Sequence, residues 1–112
     1  MRGTHIGEFE EIVLLLVTIL DKEAYVLKIQ EELKEQVRRS ISMGALHTTL
    51  TRLEKKGLLD SEMAGASSKR GGRRKRIYQV TAIGAKALHE VNQMRSMLWS
   101  QLRTYSLKIN HA

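Results

Sequence analysis

Apolar and polar residues along this chain recur mostly with the period of an α-helix, interrupted once by a short alternating segment. Between Glu8 and Asp21, Phe9, Ile12, Val13, Leu15, Leu16, Ile19 and Leu20 fall at helical spacing, and Leu14 and Val17 fill most remaining faces. A helix apolar nearly all round is expected to be buried nearly all round. Its opening acids, Glu8, Glu10 and Glu11, suit the positive end of the helix macrodipole. Residues 1–7 carry no pattern and read as a frayed arm. From Ala24 to Val37, one stripe holds Tyr25, Ile29, Leu33 and Val37, while Gln30, Glu31, Glu32, Lys34 and Glu35 lie mostly on wet faces. The pattern breaks at Arg38-Arg39-Ser40-Ile41.

A third helix is predicted from Met43 to Lys56, with Ser42 as N-cap and Gly57 just past its end. Leu46, Leu50 and Leu53 form its buried stripe. At 100° per residue, Thr48, Thr51, Arg52 and Lys55 lie roughly 140–240° from Leu46, on the opposite face. Leu58–Met63 and Ile77–Val80 read as two strands joined by a long, Gly-containing, basic connection. Thr81 can cap a last helix running from Ala82 to about Ser106. At 1.5 Å per residue that helix is about 37 Å long, whereas a globule of this length has a radius of gyration of about 13 Å. It should overhang its own domain. Ile83, Ala87, Leu88, Val91, Met94, Leu98, Trp99, Leu102 and Tyr105 give it an apolar seam whose later members are spaced almost as in a coiled coil. Such a seam needs a partner, most simply the same helix of a second chain. The order is helix, helix, turn, helix, strand, loop, strand, long helix. The predicted fold is mainly α with a small β-hairpin (α+β): a winged helix-turn-helix over residues 1–81, continuous with a C-terminal dimerisation helix over 82–112.

Composition narrows the chemistry. The chain has 112 residues, no Cys and a net charge of +7. Without Cys there are no disulfides, thiolate metal sites or Cys nucleophiles. The longest apolar run, Ile12–Val17, falls far short of the roughly 20 residues that cross a bilayer. Its acidic flanks are unlike those of a signal peptide. His5, His47, His89 and His111 are scattered without ligand spacing, so no metal site and no cofactor is expected. No Gly-rich phosphate loop follows a strand. Glu10/Glu11 and Glu31/Glu32 sit on helix exteriors. Nothing here supports an enzyme.

The positive charge is concentrated. Lys69, Arg70, Arg73, Arg74, Lys75 and Arg76 carry six of the seven net charges, and the rest of the chain is almost neutral. A basic loop of this kind suits phosphates or a minor groove. Arg38 and Arg39, in the turn before the third helix, add candidate phosphate contacts. On that helix, Ser42, Ala45, His47, Thr48, Thr49, Thr51 and Arg52 are small or polar, which permits close approach to base edges in a major groove. The bland alternative is a solvated helix face and a solvated charge run. Trp99 reads first as a packing anchor in the dimer seam. Its second reading is a stacking wall for a flat apolar effector between subunits.

Three stretches resemble the PadR family of bacterial transcriptional regulators. They are Gly7-Glu8-Phe9-Glu10 before the apolar first helix, Ser42–Leu59, which is similar to the family's recognition helix, and Arg74–Gly84, with a Thr81-x-x-Gly84 entry into the last helix. Two positions depart from the family pattern. Ala24-Tyr25 stands where the family usually has Gly-Tyr, and His47-Thr48 where it usually has Tyr-Pro. The resemblance implies a homodimeric repressor on a near-palindromic operator, bacterial and cytoplasmic, and nucleoid-associated when bound. It also implies, for some short members, a small hydrophobic or aromatic effector near a Trp in the place of Trp99. In sum, the candidate DNA contacts are Arg38, Arg39, Ser42, Ala45, His47, Thr48, Thr51 and Arg52, with Lys69, Arg70, Arg73, Arg74 and Lys75 of the wing. The candidate dimer contacts are Phe9, Val91, Met94, Leu98, Trp99, Leu102 and Tyr105. Two alternatives stay open: an architectural or RNA-binding protein with little sequence discrimination, and a protein-interaction module whose basic loop takes an acidic partner.

Overall fold

The computed structural model describes residues 5–64 and 74–102. The wing positions Lys69, Arg70 and Arg73 and the seam residue Tyr105 lie outside them. The elements run α1 (Glu8–Leu20), a single 3-10 turn (Asp21–Glu23), α2 (Val26–Val37), α3 (Met43–Lys55), β1 (Leu59–Ala64), β2 (Lys75–Val80) and α4 (Ala82–Leu102). The fold class is as predicted: helices with one two-stranded antiparallel hairpin.

One core joins these elements. Val13, Leu14, Leu16 and Val17 of α1 meet Ile29 and Leu33 of α2, Leu46, Leu50 and Leu53 of α3, and Leu58, Leu59 and Tyr78 of the hairpin. Strand register pairs Leu59 with Val80 and Ser61 with Tyr78, so Leu59 and Tyr78 share the inner face. Tyr78 N–H donates to Ala24 O at 2.9 Å, which stitches β2 to the α1–α2 connection. Burial and the Glu54 carboxylate push the Tyr78 phenol above its ordinary pKa, against the pull of Arg76.

Several expectations are corrected. The arm before α1 is not simply frayed, because Ile6 is buried in the core. α1 is not buried all round, since Leu15 and Ile19 remain 44% and 62% exposed. α2 begins at Val26 because Ala24 and Tyr25 are held in the preceding turn by bonds to Asp21 O and Glu23 O. Tyr25 is half-buried rather than part of the core stripe. β2 reaches back to Lys75, and β1 runs to Ala64, because the two pair there. Thr49 belongs to the buried side of α3, at 6% exposure, and its hydroxyl donates to Ala45 O.

Both ends of α3 follow its sequence. Ser42 Oγ accepts from Ala45 N–H at 3.0 Å. At the other end Gly57 N–H donates to Glu54 O and Leu58 N–H to Leu53 O, with Gly57 at φ 79°. This is a Schellman motif, and it needs a left-handed residue where Gly57 stands.

The junction of hairpin and α4 brings two backbones close together. Thr81 hydroxyl donates to Gly57 O at 2.6 Å and accepts from Gly84 N–H at 3.0 Å. A Cβ on Gly84 would stand 2.3 Å from Leu58 O and 2.9 Å from Val80 Cγ1. The Thr-x-x-Gly spacing thus supplies an N-cap and, one turn on, a residue without a side chain. Beyond Val91, every described residue of α4 is exposed. The radius of gyration is 17.2 Å, against about 13 Å for a globule of 112 residues, as an overhanging helix requires.

Candidate nucleic-acid interface

Leu46, Leu50 and Leu53 are fully buried, so α3 is anchored on one side and open on the other. The open side presents His47, Thr48, Thr51, Arg52 and Lys55 around a shallow cleft of about 390 Å³. Ser42 and Ala45 are also exposed, at the N-terminal end. Thr48 hydroxyl donates back to Gly44 O at 3.0 Å. The turn that sets the entry of α3 is pinned by Gln30, whose amide donates to Ile41 O at 2.9 Å.

The basic residues of this region differ in their surroundings. Arg38 is exposed and holds φ 60°, a left-handed conformation that an L-residue adopts at a cost. Its position suits the end of α2, where its N–H donates to Leu33 O, but the side chain contributes nothing to that bond. Arg39 lies over the Phe9 ring at 5.7 Å and donates to both oxygens of Glu8 at 2.8 and 2.6 Å. Arg52 lies 3.7 Å from the Glu10 carboxylate, its side chain half exposed. Glu10 itself is buried. Burial acts to raise its pKa, but bonds from Gly7 N–H and Lys56, with the charges of Lys56 and Arg52, hold it below the ordinary value. Its two oxygens each stand 3.0 Å from Lys56 Nζ.

The described part of the wing adds Arg74 and Lys75, both exposed. Lys75 ammonium lies over the Tyr25 ring at 4.1 Å. Arg74, Lys75 and Arg76 line a cleft of about 310 Å³ with Tyr25, Val26 and Leu27 at the start of α2. Tyr25, on the core stripe by sequence, stands half-buried at this cleft instead. Arg76 is tied down through Ser61, which accepts from it at 2.9 Å and donates to Glu54 at 2.7 Å.

The seam residues fall into two groups. Phe9 is half-buried against the core beneath Arg39, and Val91 is half-buried at the end of the intramolecular contact. Met94, Leu98, Trp99 and Leu102 are exposed, with Trp99 at 62%. Among the described residues, no group of three His, Asp or Glu side chains could hold a metal ion, and no helix is long and apolar enough to cross a membrane.

The sequence pattern of the transcriptional regulator PadR-like family matches residues 14–90, from the core of α1 through the hairpin into α4. The chain belongs to the PadR-like family. Its members are transcriptional regulators, not enzymes. Among solved structures, a PadR-like transcription factor from Bacteroides fragilis is 28% identical, with a TM-score of 0.69 over 88% of this chain and 89% of that one. A PadR family regulator from Clostridium difficile is 29% identical, with a TM-score of 0.62 over 84% of this chain and 96% of that one. Bacillus subtilis PadR, solved in complex with operator DNA, shares the fold at 21% identity and a TM-score of 0.60, over 74% of this chain and 45% of that one. No curated protein matches the sequence significantly. In this PadR-like chain, the matched segment contains the recognition-helix candidate, both strands and the Thr81–Gly84 junction.

Proposed function

We propose that this PadR-like regulator is a homodimeric repressor that reads a near-palindromic operator, one half-site per chain. The carrying observation is α3: a helix anchored by three buried leucines whose open face gathers His47, Thr48, Thr51, Arg52 and Lys55. That face suits a major groove, with Ser42 and Ala45 at its leading end. Arg38 and Arg39 before α3, and Arg74 and Lys75 with the wing residues Lys69, Arg70 and Arg73, supply phosphate or minor-groove contacts. Tyr25 joins them beside Lys75. The operator complex of Bacillus subtilis PadR supports this use of the shared fold.

The dimer reading rests on the exposed apolar residues of α4 and α1. Met94, Leu98, Trp99 and Leu102 lie beyond the core, and Leu15 and Ile19 give α1 an apolar surface of its own. A second copy covers both, with Phe9, Val91 and Tyr105 at the margins. Trp99 in that seam is also a stacking surface for a flat hydrophobic effector. The protein then works in the cytoplasm, on the nucleoid when bound.

The test is selection of duplex DNA from a random pool, followed by titration of the selected site. Arg52→Ala and the double substitution Arg73→Ala/Arg74→Ala are expected to weaken binding at least tenfold, the double one also flattening its salt dependence by about 0.9 per lost phosphate contact. Recovery of no enriched sequence, with equal affinity for all duplexes, would instead mark an architectural DNA-binding protein. For the effector, Trp99 fluorescence is titrated with planar aromatic cations; saturable quenching is expected, and its absence with all of them refutes that role.

A further inference from the structure

The first turn of α1 carries three acids, and each reaches a different element. Glu8 holds Arg39 in the turn before α3, Glu10 holds Lys56 and faces Arg52 on α3, and Glu11 accepts from Arg95 of α4 at 3.1 Å. By sequence these acids complement a helix dipole and Glu10/Glu11 sit on the helix exterior, yet Glu10 is buried. Their surroundings now separate them. Glu10 is buried and bonded to backbone and side chain, so it is a fixed part of the fold. Glu8 stands in water, with its side chain 62% exposed and that of Arg39 39% exposed. An ion pair that open is held weakly and can exchange partners.

Arg39 meets in Glu8 the kind of anion that a DNA backbone also presents. A carboxylate offers a guanidinium two anionic oxygens, as a phosphate diester does with its non-bridging pair. Arg39 lies three positions before Ser42, the cap of α3, on the approach to the helix N-terminus. The Phe9 ring lies beneath the guanidinium, its centroid 5.7 Å from Cζ, and is independent of the anion bound.

Resting on the DNA-binding reading above, we propose that Glu8 is a specificity-determining residue: it occupies Arg39 in the free protein, so that only closely docked DNA recruits this arginine. A loosely docked, non-specific complex leaves the pair intact, and Arg39 then releases no counterion from the duplex. A closely docked operator brings a phosphate near enough to displace the carboxylate. Glu8 thereby lowers affinity for random sequence more than affinity for the operator.

The experiment compares the full chain with Glu8→Gln, Arg39→Gln and the double variant, on a random-sequence duplex across a salt series and on the selected operator. On the operator Glu8→Gln should change affinity less; an equal gain on both overturns the inference. For Glu8→Gln the affinity is expected to rise about threefold or more, and the log–log salt slope to steepen by about 0.9, one added phosphate contact. In the Arg39→Gln background, Glu8→Gln should no longer change the slope. Both residues are exposed enough for the variants to fold, which thermal melts verify. An unchanged slope in Glu8→Gln overturns the inference, as does an equal gain without Arg39, since that gain would come only from removing a negative charge. If the unaltered chain binds no duplex at all, the DNA-binding reading falls first, and this inference with it.

Discussion

At the scale of single residues, Glu10 shows how a carboxylate becomes part of a fold. Its burial would favour the neutral form, yet Gly7 N–H and the cations of Lys56 and Arg52 reverse that preference. The folded chain therefore holds its pKa below the ordinary 4.5. A group whose pKa is depressed by folding contributes stability above its unfolded pKa and loses that contribution as pH falls through the folded value. Glu10→Gln should cost about 1–2 kcal/mol at neutral pH. It should also flatten the loss of stability below about pH 4.5, as measured by denaturant titration across pH. Arg38 illustrates the opposite case, a residue that local structure does not favour. Glycine at its left-handed position should raise stability by roughly 0.5–1 kcal/mol. If Arg38 contacts phosphate, Arg38→Gly should meanwhile weaken DNA binding, so melts and binding titrations move in opposite directions.

At the scale of elements, the clearest structural demand is the contact between Gly84 and Leu58 O. The obstacle is backbone, which cannot rotate aside, so Gly84→Ala should destabilise by about 2 kcal/mol or more, seen as a lowered thermal midpoint. This junction was legible in the sequence as a Thr-x-x-Gly pattern, though the reason for the glycine was not. α3 was legible at both ends because Ser42 and Gly57 each act through local bonds. The start of α2 was not, because Ala24 and Tyr25 are held by a turn and by Tyr78 of a distant strand. β2 was read two residues short because Lys75 and Arg76 have poor strand propensity; pairing with Ala64 and Met63 overrides it. The open face of α3 followed from its period, except for Thr49, whose angle puts it beside the leucine stripe. The partners of Arg39 and Arg52 were hidden, because Glu8 and Glu10 lie more than 30 positions away in the chain.

At the scale of the whole molecule, the overhanging half of α4 is the feature that a single chain leaves unfinished. Met94, Met97, Leu98, Trp99 and Leu102 are each at least 37% exposed, an apolar stretch of the sort that marks an association surface. Leu98→Glu is expected to shift the chain from dimer to monomer in sedimentation at micromolar concentration. It should leave the melting of the core nearly unchanged, because Leu98 touches none of it. The end of α3 and the start of α4 are meanwhile joined through Gly57, Leu58, Thr81 and Gly84, by the two hydrogen bonds of the Thr81 hydroxyl and by the close backbone contact of Gly84 with Leu58. α4 is a shaft of about 31 Å, so tilting its far end by 2–3 Å turns the shaft by roughly 5°. A rigid joint would carry that angle to the exposed face of α3. In a two-fold pair the two faces would turn in opposite senses, so a scissoring of the shafts becomes a change in the pitch at which two helices can meet one groove.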